Sequence, residues 1–396
     1  MTFTFLGAYD SDYPRNALIR KGLRQLGVPL AECRADRAWK FWVRYPILLL
    51  RLLRSVPRPA TPASRSARGT RCLFVPEFGQ KDVPLARFWA ALTARKVVFD
   101  PLAARYETKV VDWRRLSPDS PAAWWNFQID RAAFAGADLV LADTAAHKAY
   151  YCETYGLDPS KVEVLPLGFD DDVFRPPAPE GDAPAAPETG AALPASPAAC
   201  ASAPTRPFEV LFTGSFLPLH GTEVIIEAAR IVAGRDPGVR FTLIGSGRTF
   251  DAARRAAASV GLENVVFAGR RPFGELPTAL AAADVCLGIF GRTEKARRVV
   301  PHKLVQAMGA GRPVVTARTP AAEEFFTHRR HLMFCDEPLA ESLAAAVLEL
   351  KADAALRDRI ARDGCALVRE RFSPRATARL LMEIVDRHFG PARAEL

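Results

Sequence analysis

The 396-residue chain has no run near the ~18–20 apolar residues that a membrane-crossing helix needs, so no span is expected. Cysteine is sparse and unpatterned: Cys33, Cys72, Cys152, Cys200, Cys286, Cys335 and Cys365 are odd in number and form no C-x-x-C pair. That spacing argues against a disulfide framework and a structural zinc site, and it fits a reducing, cytoplasmic setting. The six histidines are equally dispersed. Acidic residues are in deficit, 44 against 54 lysines and arginines, which leaves a formal net charge of +10. Such a surplus favours anionic partners, whether phosphates, acidic lipid or nucleic acid. No basic–aromatic nucleic-acid module stands out, so no nucleic-acid partner is expected. The opening MTFTFLGAYDSDYPRN lacks a basic leader followed by an apolar stretch, and no secretory signal is expected from it.

What is present is a two-part α/β pattern. The length suits about two domains of ~150–200 residues. Between them, PPAPEGDAPAAPETGAALPASPAACASAPTRP (176–207) has almost no large apolar side chain and reads as a disordered linker or loop. The expected division is 1–175 and 208–375, with 376–396 a terminal helix that can pack back on the first domain. In the first part FTFLGAY, RCLFVPEF, KVVFDPL, DLVLADT and VEVLPLG are short apolar runs ending in Pro, Gly or Asp; in the second, FEVLFTGSF, RFTLIGSG, NVVFAGR, DVCLGIF and RPVVTAR. Alternating with helical periodicity such as TEVIIEAARIVAGR, these predict buried parallel strands in two doubly wound sheets. Ligands in that class bind at the carboxyl ends of the strands.

The second part carries a family likeness. LFTGSFLPLHGTEVIIEAA, FTLIGSG, GLENVVFAGRRPFGELPTALAAADVCLGIF and VPHKLVQAMGAGRPVVTARTPAAEEFF, preceded by VLPLGFDDDVFRP, resemble successive segments of glycosyltransferase family 4, in order and at the right spacing. The resemblance spans roughly 160–385; residues 1–160 share only the layout. It implies the GT-B architecture, two Rossmann-like domains facing a cleft, with a nucleotide-sugar donor on the second domain and the acceptor mainly on the first. It implies no metal and no cofactor, and transfer that retains the donor's anomeric configuration.

The residues offer a matching chemistry. Gly214 ends a strand and Gly221 precedes a helix, so the loop between can present backbone N–H groups to a phosphate. Arg297, Arg298 and Lys303 flank the helix beginning near Pro301, with Pro expected in its first turn, and can pair with a diphosphate; the alternative is a solvated basic patch beside an ordinary cap. Gly309 and Gly311 are expected to serve the turn into RPVV. The pattern also departs from the family. Ser215 and His220 stand where the family places an Arg and a Lys on the donor phosphates, Arg298 and Gln306 where it places two glutamates, and Phe99-Asp100 where it often has His-Asp. Either the cationic work has moved to Arg297, Arg298 and Lys303, with Gln306 accepting from a hydroxyl, or the site is degenerate and only binds.

On the acceptor side, SDYPRN brings Asp12, Tyr13, Arg15 and Asn16 to the end of the first strand. Asp100 can contact or deprotonate the acceptor hydroxyl, or be a turn or cap residue before Pro101. Glu77 and Asp143–Thr144 also end strands. WKFWVRYPILLLRLLRS (39–55) is apolar and aromatic with interspersed Lys and Arg; it suits either a membrane interface or a core helix with basic ends. The sequence thus reads as a glycosyltransferase of polysaccharide, glycolipid or small-glycoside assembly. A GT-B sugar-nucleotide 2-epimerase and a degenerate sugar-nucleotide-binding protein are the alternatives.

Overall fold

The computed structural model describes residues 1–55, 70–176 and 206–390. Nearly all of the Pro/Ala-rich stretch, with Cys200, lies outside the described residues. Each half of the chain builds one parallel sheet. β1 (Thr2–Gly7), β2 (Leu30–Arg34), β3 (Arg71–Val75), β4 (Lys96–Phe99), β5 (Leu139–Ala142) and β6 (Val162–Val164) take the order β2-β1-β3-β4-β5-β6. β7 (Phe208–Gly214), β8 (Val239–Gly245), β9 (Val265–Gly269), β10 (Val285–Leu287), β11 (Val314–Ala317) and β12 (Met333–Cys335) take the order β12-β11-β10-β7-β8-β9. Burial is nearly unbroken along β1, β3 and β7, as in strands covered on both faces.

One face of the first sheet packs Leu73, Val97 and Phe99 against Leu48, Leu52, Ala86, Trp89 and Phe134 of the helices Phe41–Ser55, Val83–Thr93 and Pro121–Gly136. The other face, with Phe3, Phe5, Phe74 and Leu141, is covered by the helix Pro14–Gln25 and by the helix Pro374–Phe389. Leu381, Ile384 and Val385 of that last helix are sealed from solvent there, and each such side chain contributes about 1.5–3 kcal/mol. The two helices touch at Gly22, where a Cβ would lie 1.9 Å from the Pro374 carbonyl oxygen.

Segment 39–55 turns both ways. Leu48, Leu52 and Arg44 are buried toward the sheet, while Trp42, Val43, Leu50 and Leu53 face outward beside Arg51 and Arg54. Among the described residues no helix is long and apolar enough to cross a membrane.

Two positions in this topology matter for ligands. The chain leaves β1 toward β2 on one side and returns as β3 on the other; β7 is likewise flanked by β8 and β10. Loops part at such switch points and leave a crevice at the carboxyl ends of the strands. The two crevices face each other. Thr144 Oγ1 donates to the Arg298 carbonyl at 2.5 Å, Lys295 Nζ to Thr108 Oγ1 at 3.2 Å, and His302 Nδ1 pairs with the Gly168 carbonyl at 3.0 Å.

Candidate functional site

The wall supplied by the second domain begins where β7 ends at Gly214. The chain makes a single turn, Pro218–His220, and enters the helix Thr222–Ala233 through Gly221 at φ 62°. A Cβ on Gly221 would lie 2.3 Å from the Phe290 carbonyl carbon, so only glycine fits this crossing. Beyond β10, Thr293 caps the short helix Glu294–Arg298, and Pro301 is the N-cap of the helix His302–Gly309 rather than part of its first turn. Gly309 packs on the Phe169 ring and Gly311, at φ 70°, makes the turn toward β11.

Lys303 projects from that helix to the end of β7. Its Nζ lies 4.0 Å from the centroid of the Phe212 ring and 2.5 Å from where a Gly214 Cβ would be. Nζ is buried and has no hydrogen-bond partner among the described residues, and burial holds its pKa well below the usual lysine range. His220 beside it cannot replace the family's cation. Its Nδ1 accepts the Leu217 N–H at 3.2 Å, and burial, then Lys303, push its pKa down to about 2. The neutral ring orders the loop instead. Ser215 is exposed, and Gln306, one turn beyond Lys303, is half-buried with no side-chain partner among the described residues.

Arg298 is not available to a diphosphate, contrary to the sequence expectation. Its Nη2 lies 3.1 Å from Glu107 Oε1 in the first domain and its guanidinium 4.2 Å from the Tyr150 ring centroid. Glu107 is sealed from solvent and needs cations around it. His147 supplies another: its Nε2 is 3.3 Å from Glu107 and its Nδ1 2.6 Å from Asp143. Burial alone would lower the His147 pKa, but Asp143 and Glu107 outweigh it and push it up to about 9. Burial likewise opposes ionisation of Glu107, yet His147 and its cationic neighbours bring that carboxyl down to about 2. Arg298, Glu107, His147 and Asp143 therefore tie the domains together, with Thr144 bonded to the same strand of chain. Arg297 is exposed.

The facing wall comes from the loops after β1, β3 and β4. Asp100 is occupied too: its Oδ2 lies 2.6 Å from Arg15 Nε, with both side chains sealed from solvent. Arg15 also donates to the Leu165 and Pro166 carbonyls at 3.0 and 3.2 Å. Asp100 thus neutralises an internal arginine that pins the chain after β6; it is neither a helix cap nor a free base. Burial raises its pKa and Arg15 opposes the rise.

Glu77 stands in the opposite condition. Both carboxyl oxygens are buried without a well-aligned partner, and burial, then Asp100, push its pKa up to about 8. Asn16 donates to the Asp10 carbonyl at 2.8 Å while its own oxygen is unpartnered. Tyr13 lies 5.9 Å from Phe78 and 6.4 Å from His302, centroid to centroid, and His302 Nε2 is a further unpartnered buried atom. Asp12 is exposed in the turn. Phe78 and Phe216, one on each wall, hold φ of 56° and 44°, strained values for a bulky residue.

Buried polar atoms without partners are few in folded proteins. Here Glu77, Asn16 and Asp100 of the first domain and His302 and Lys303 of the second each have a buried polar atom without a well-aligned partner among the described residues. In the sequence Glu77 is marked only by its place at a strand end, and His302 only by its place beside Lys303 at a helix start. Among the described residues the carboxylate cluster with metal-ligand spacing is Asp170–Asp172, outside the crevice, and Lys21 Nζ already sits 2.6 Å from Asp172.

Residues 207–353 match a family described as glycosyl transferases group 1. A D-inositol 3-phosphate glycosyltransferase of Segniliparus rotundus is 28% identical over 191 residues, covering 46% of this chain and 38% of that protein. A mannosylfructose-phosphate synthase of Agrobacterium fabrum is 24% identical over 266 residues, covering 64% and 54%. The chain therefore aligns with well under two thirds of the length of these curated relatives. Among solved structures, Anabaena Alr3699/HepE in complex with UDP and glucose superposes with a TM-score of 0.64 at 17% identity, over 98% of this chain and 99% of that one. The sucrose-phosphate synthase tll1590 of Thermosynechococcus elongatus also gives 0.64, at 15% identity and the same coverage. At these identities the likeness shows the fold, which is GT-B.

Proposed function

We propose, from the premise that residues 207–353 form a group 1 glycosyltransferase domain, that this protein transfers a sugar from a nucleotide-sugar donor to an acceptor hydroxyl. The observation that carries the reading is the Lys303 ammonium, buried without an anion at the start of a helix and beside the bare backbone of Gly214. A donor diphosphate there gives the ammonium its counter-ion and meets the helix N-terminus as well. During transfer the bond from the anomeric carbon to the diphosphate breaks and the acceptor oxygen bonds to that carbon. The hydroxyl proton leaves on the departing diphosphate, whose growing charge Lys303 balances. Gln306 is placed a turn beyond Lys303 to accept from a ribose or sugar hydroxyl.

The acceptor enters against Tyr13, Asn16 and Glu77. A protonated Glu77 can donate to one hydroxyl oxygen and accept from the next. Because lysine and the helix terminus supply the positive charge, the reaction needs no metal, and we expect retention at the anomeric carbon. UDP is the first nucleotide to try, since the HepE structure holds it. The relatives' names carry phosphorylated inositol and fructose, so a phosphorylated acceptor is the leading class here. The outward apolar face of the helix Phe41–Ser55, with Arg51 and Arg54, supports peripheral contact with a cytoplasmic membrane surface.

Neutral His220 and uncharged Gln306 favour one second reading, a protein that binds nucleotide sugars without turning them over. Calorimetry with UDP, GDP, ADP and their glucose or mannose conjugates, followed by product analysis, separates the two. Binding with neither hydrolysis nor transfer supports the second reading; no binding by any nucleoside diphosphate removes the donor site itself.

A further inference from the structure

The loops after β3 and β4 gather a second concentration of positive charge, away from Lys303. Arg105 Nε and Lys109 Nζ donate to the same oxygen, Asn126 Oδ1, at 3.2 and 3.3 Å, which holds two cations side by side on one neutral acceptor. Lys81 joins them because its loop is bound to the next one: Gln80 Nε2 donates to the Ala103 carbonyl at 2.9 Å, and Phe78 N–H to the Pro101 carbonyl at 3.3 Å. Partial burial and the mutual repulsion of these cations hold both lysines below the usual lysine range.

Among the described residues no carboxylate pairs with Lys81, Arg105 or Lys109. Asp130, the acid beside Arg105 and Lys109, has its oxygens taken by the Arg105 and Tyr106 backbone N–H groups at 3.0 and 2.7 Å, with Tyr155 O–H at 3.3 Å. Asp82 is paired with Arg44 at 2.9 Å and with the Ala8 N–H at 2.9 Å. Three cations on two joined loops, Lys81 exposed and Arg105 and Lys109 half-buried, offer N–H donors to an anion with several oxygens.

We propose that Lys81, Arg105 and Lys109 form a subsite for a phosphate group carried by the acceptor. This rests on the reading that the acceptor enters between the loops of the first domain. Lys81 follows Glu77 in the same loop, so a molecule anchored here by its phosphate can present a hydroxyl to the crevice. Thr108, adjoining Lys109, accepts from Lys295 of the second domain, which places the subsite at the domain boundary. A sugar or polyol phosphate supplies such a group, and so does a lipid headgroup lying along the helix Phe41–Ser55, whose Tyr45 hydroxyl donates to the Lys81 carbonyl.

The test keeps the full chain saturated with UDP, so that the donor wall is filled, and titrates two kinds of probe. Glucose 6-phosphate against glucose reports the soluble source; phosphatidic acid/phosphatidylcholine vesicles against pure phosphatidylcholine report the lipid one. At least one phosphate probe binds and its neutral counterpart does not. Lys81→Ala/Lys109→Ala and Arg105→Ala each weaken that binding by about tenfold or more, the size of a lost charge-assisted contact, with UDP affinity and thermal midpoint held. If neither phosphate probe binds, or the variants bind as the parent does, the subsite is overturned. If UDP itself fails to bind, the donor reading falls, and the same titrations without UDP still decide the phosphate subsite.

Discussion

Replacing Lys303 by Met separates a ligand-binding lysine from a structural one. A structural lysine in a core has a partner, and its loss destabilises the fold; this ammonium has none. Burying it therefore carries desolvation cost without compensation. Lys303→Met, similar in length and apolar, should leave the unliganded protein as stable as the parent or more so. The difference grows as pH falls below the ordinary lysine value of 10.5, because the unfolded chain then binds a proton that the folded chain resists. Ligand binding moves the other way. One charge-assisted contact to phosphate is worth about 1.5–3 kcal/mol, so the variant should bind UDP roughly 10- to 150-fold more weakly. Calorimetry supplies a second signature. Burial disfavours the charged form of Lys303 in the free protein, so a diphosphate that favours it draws protons onto the amine, and the apparent enthalpy varies with the ionisation enthalpy of the buffer. Lys303→Met abolishes that variation. Unchanged UDP affinity, or a loss of more than about 2 kcal/mol of unliganded stability in urea, would refute the reasoning.

Three further outcomes follow from the buried charges. Arg298→Ala leaves Glu107 short of a cation and should cost about 3 kcal/mol of stability, read by urea denaturation, with UDP affinity changed far less than by Lys303→Met. A diphosphate role for Arg298 predicts the reverse ordering. His147, pushed up to about 9, stabilises the fold fully below its unfolded value of 6.5 and loses that contribution as pH rises through 9. His147→Gln should therefore cost about 3 kcal/mol at pH 6 and much less at pH 10. Glu77, pushed up to about 8, holds a proton in the folded state that the unfolded chain releases near 4.5, so its burial destabilises increasingly as pH climbs between those values. Glu77→Gln should gain on the parent in thermal midpoint between pH 4 and pH 9; a constant gap across that range refutes the placement of this carboxyl.

The two sheets are legible in the sequence because strand burial is written locally. Runs such as CLFV and VLF are apolar without alternation, and each is soon followed by a turn residue, Pro76 or Gly214. The Gly221 crossing is legible for a similar reason, since a left-handed turn into a helix selects glycine. Side-chain roles at the crevice are not local. Arg298 reads as a free cation until Glu107, 191 positions away, is seen against it, and Asp100 reads as a base until Arg15, 85 positions away, is seen to occupy it. Lys303 and Arg298 look alike in sequence, both basic and flanking one helix start; the fold sets each on an aromatic ring but brings a carboxylate to Arg298, while Lys303 Nζ has no hydrogen-bond partner among the described residues. Spacing reveals which charges are present but not which are already neutralised.

The helix Pro374–Phe389 seals a face of a sheet whose first strand is Thr2–Gly7. During synthesis the amino-terminal sheet leaves the ribosome long before its own lid exists. Phe3, Phe5, Phe74 and Leu141 stay partly uncovered until the second domain has been translated and the final helix arrives. A domain assembled in this order cannot complete its folding vectorially; its closing step waits on the translation of residues 374–389, and a chaperone has an apolar sheet to hold until then. A fragment stopping near residue 175 should consequently aggregate, whereas the same fragment co-expressed with residues 372–390 regains its missing layer.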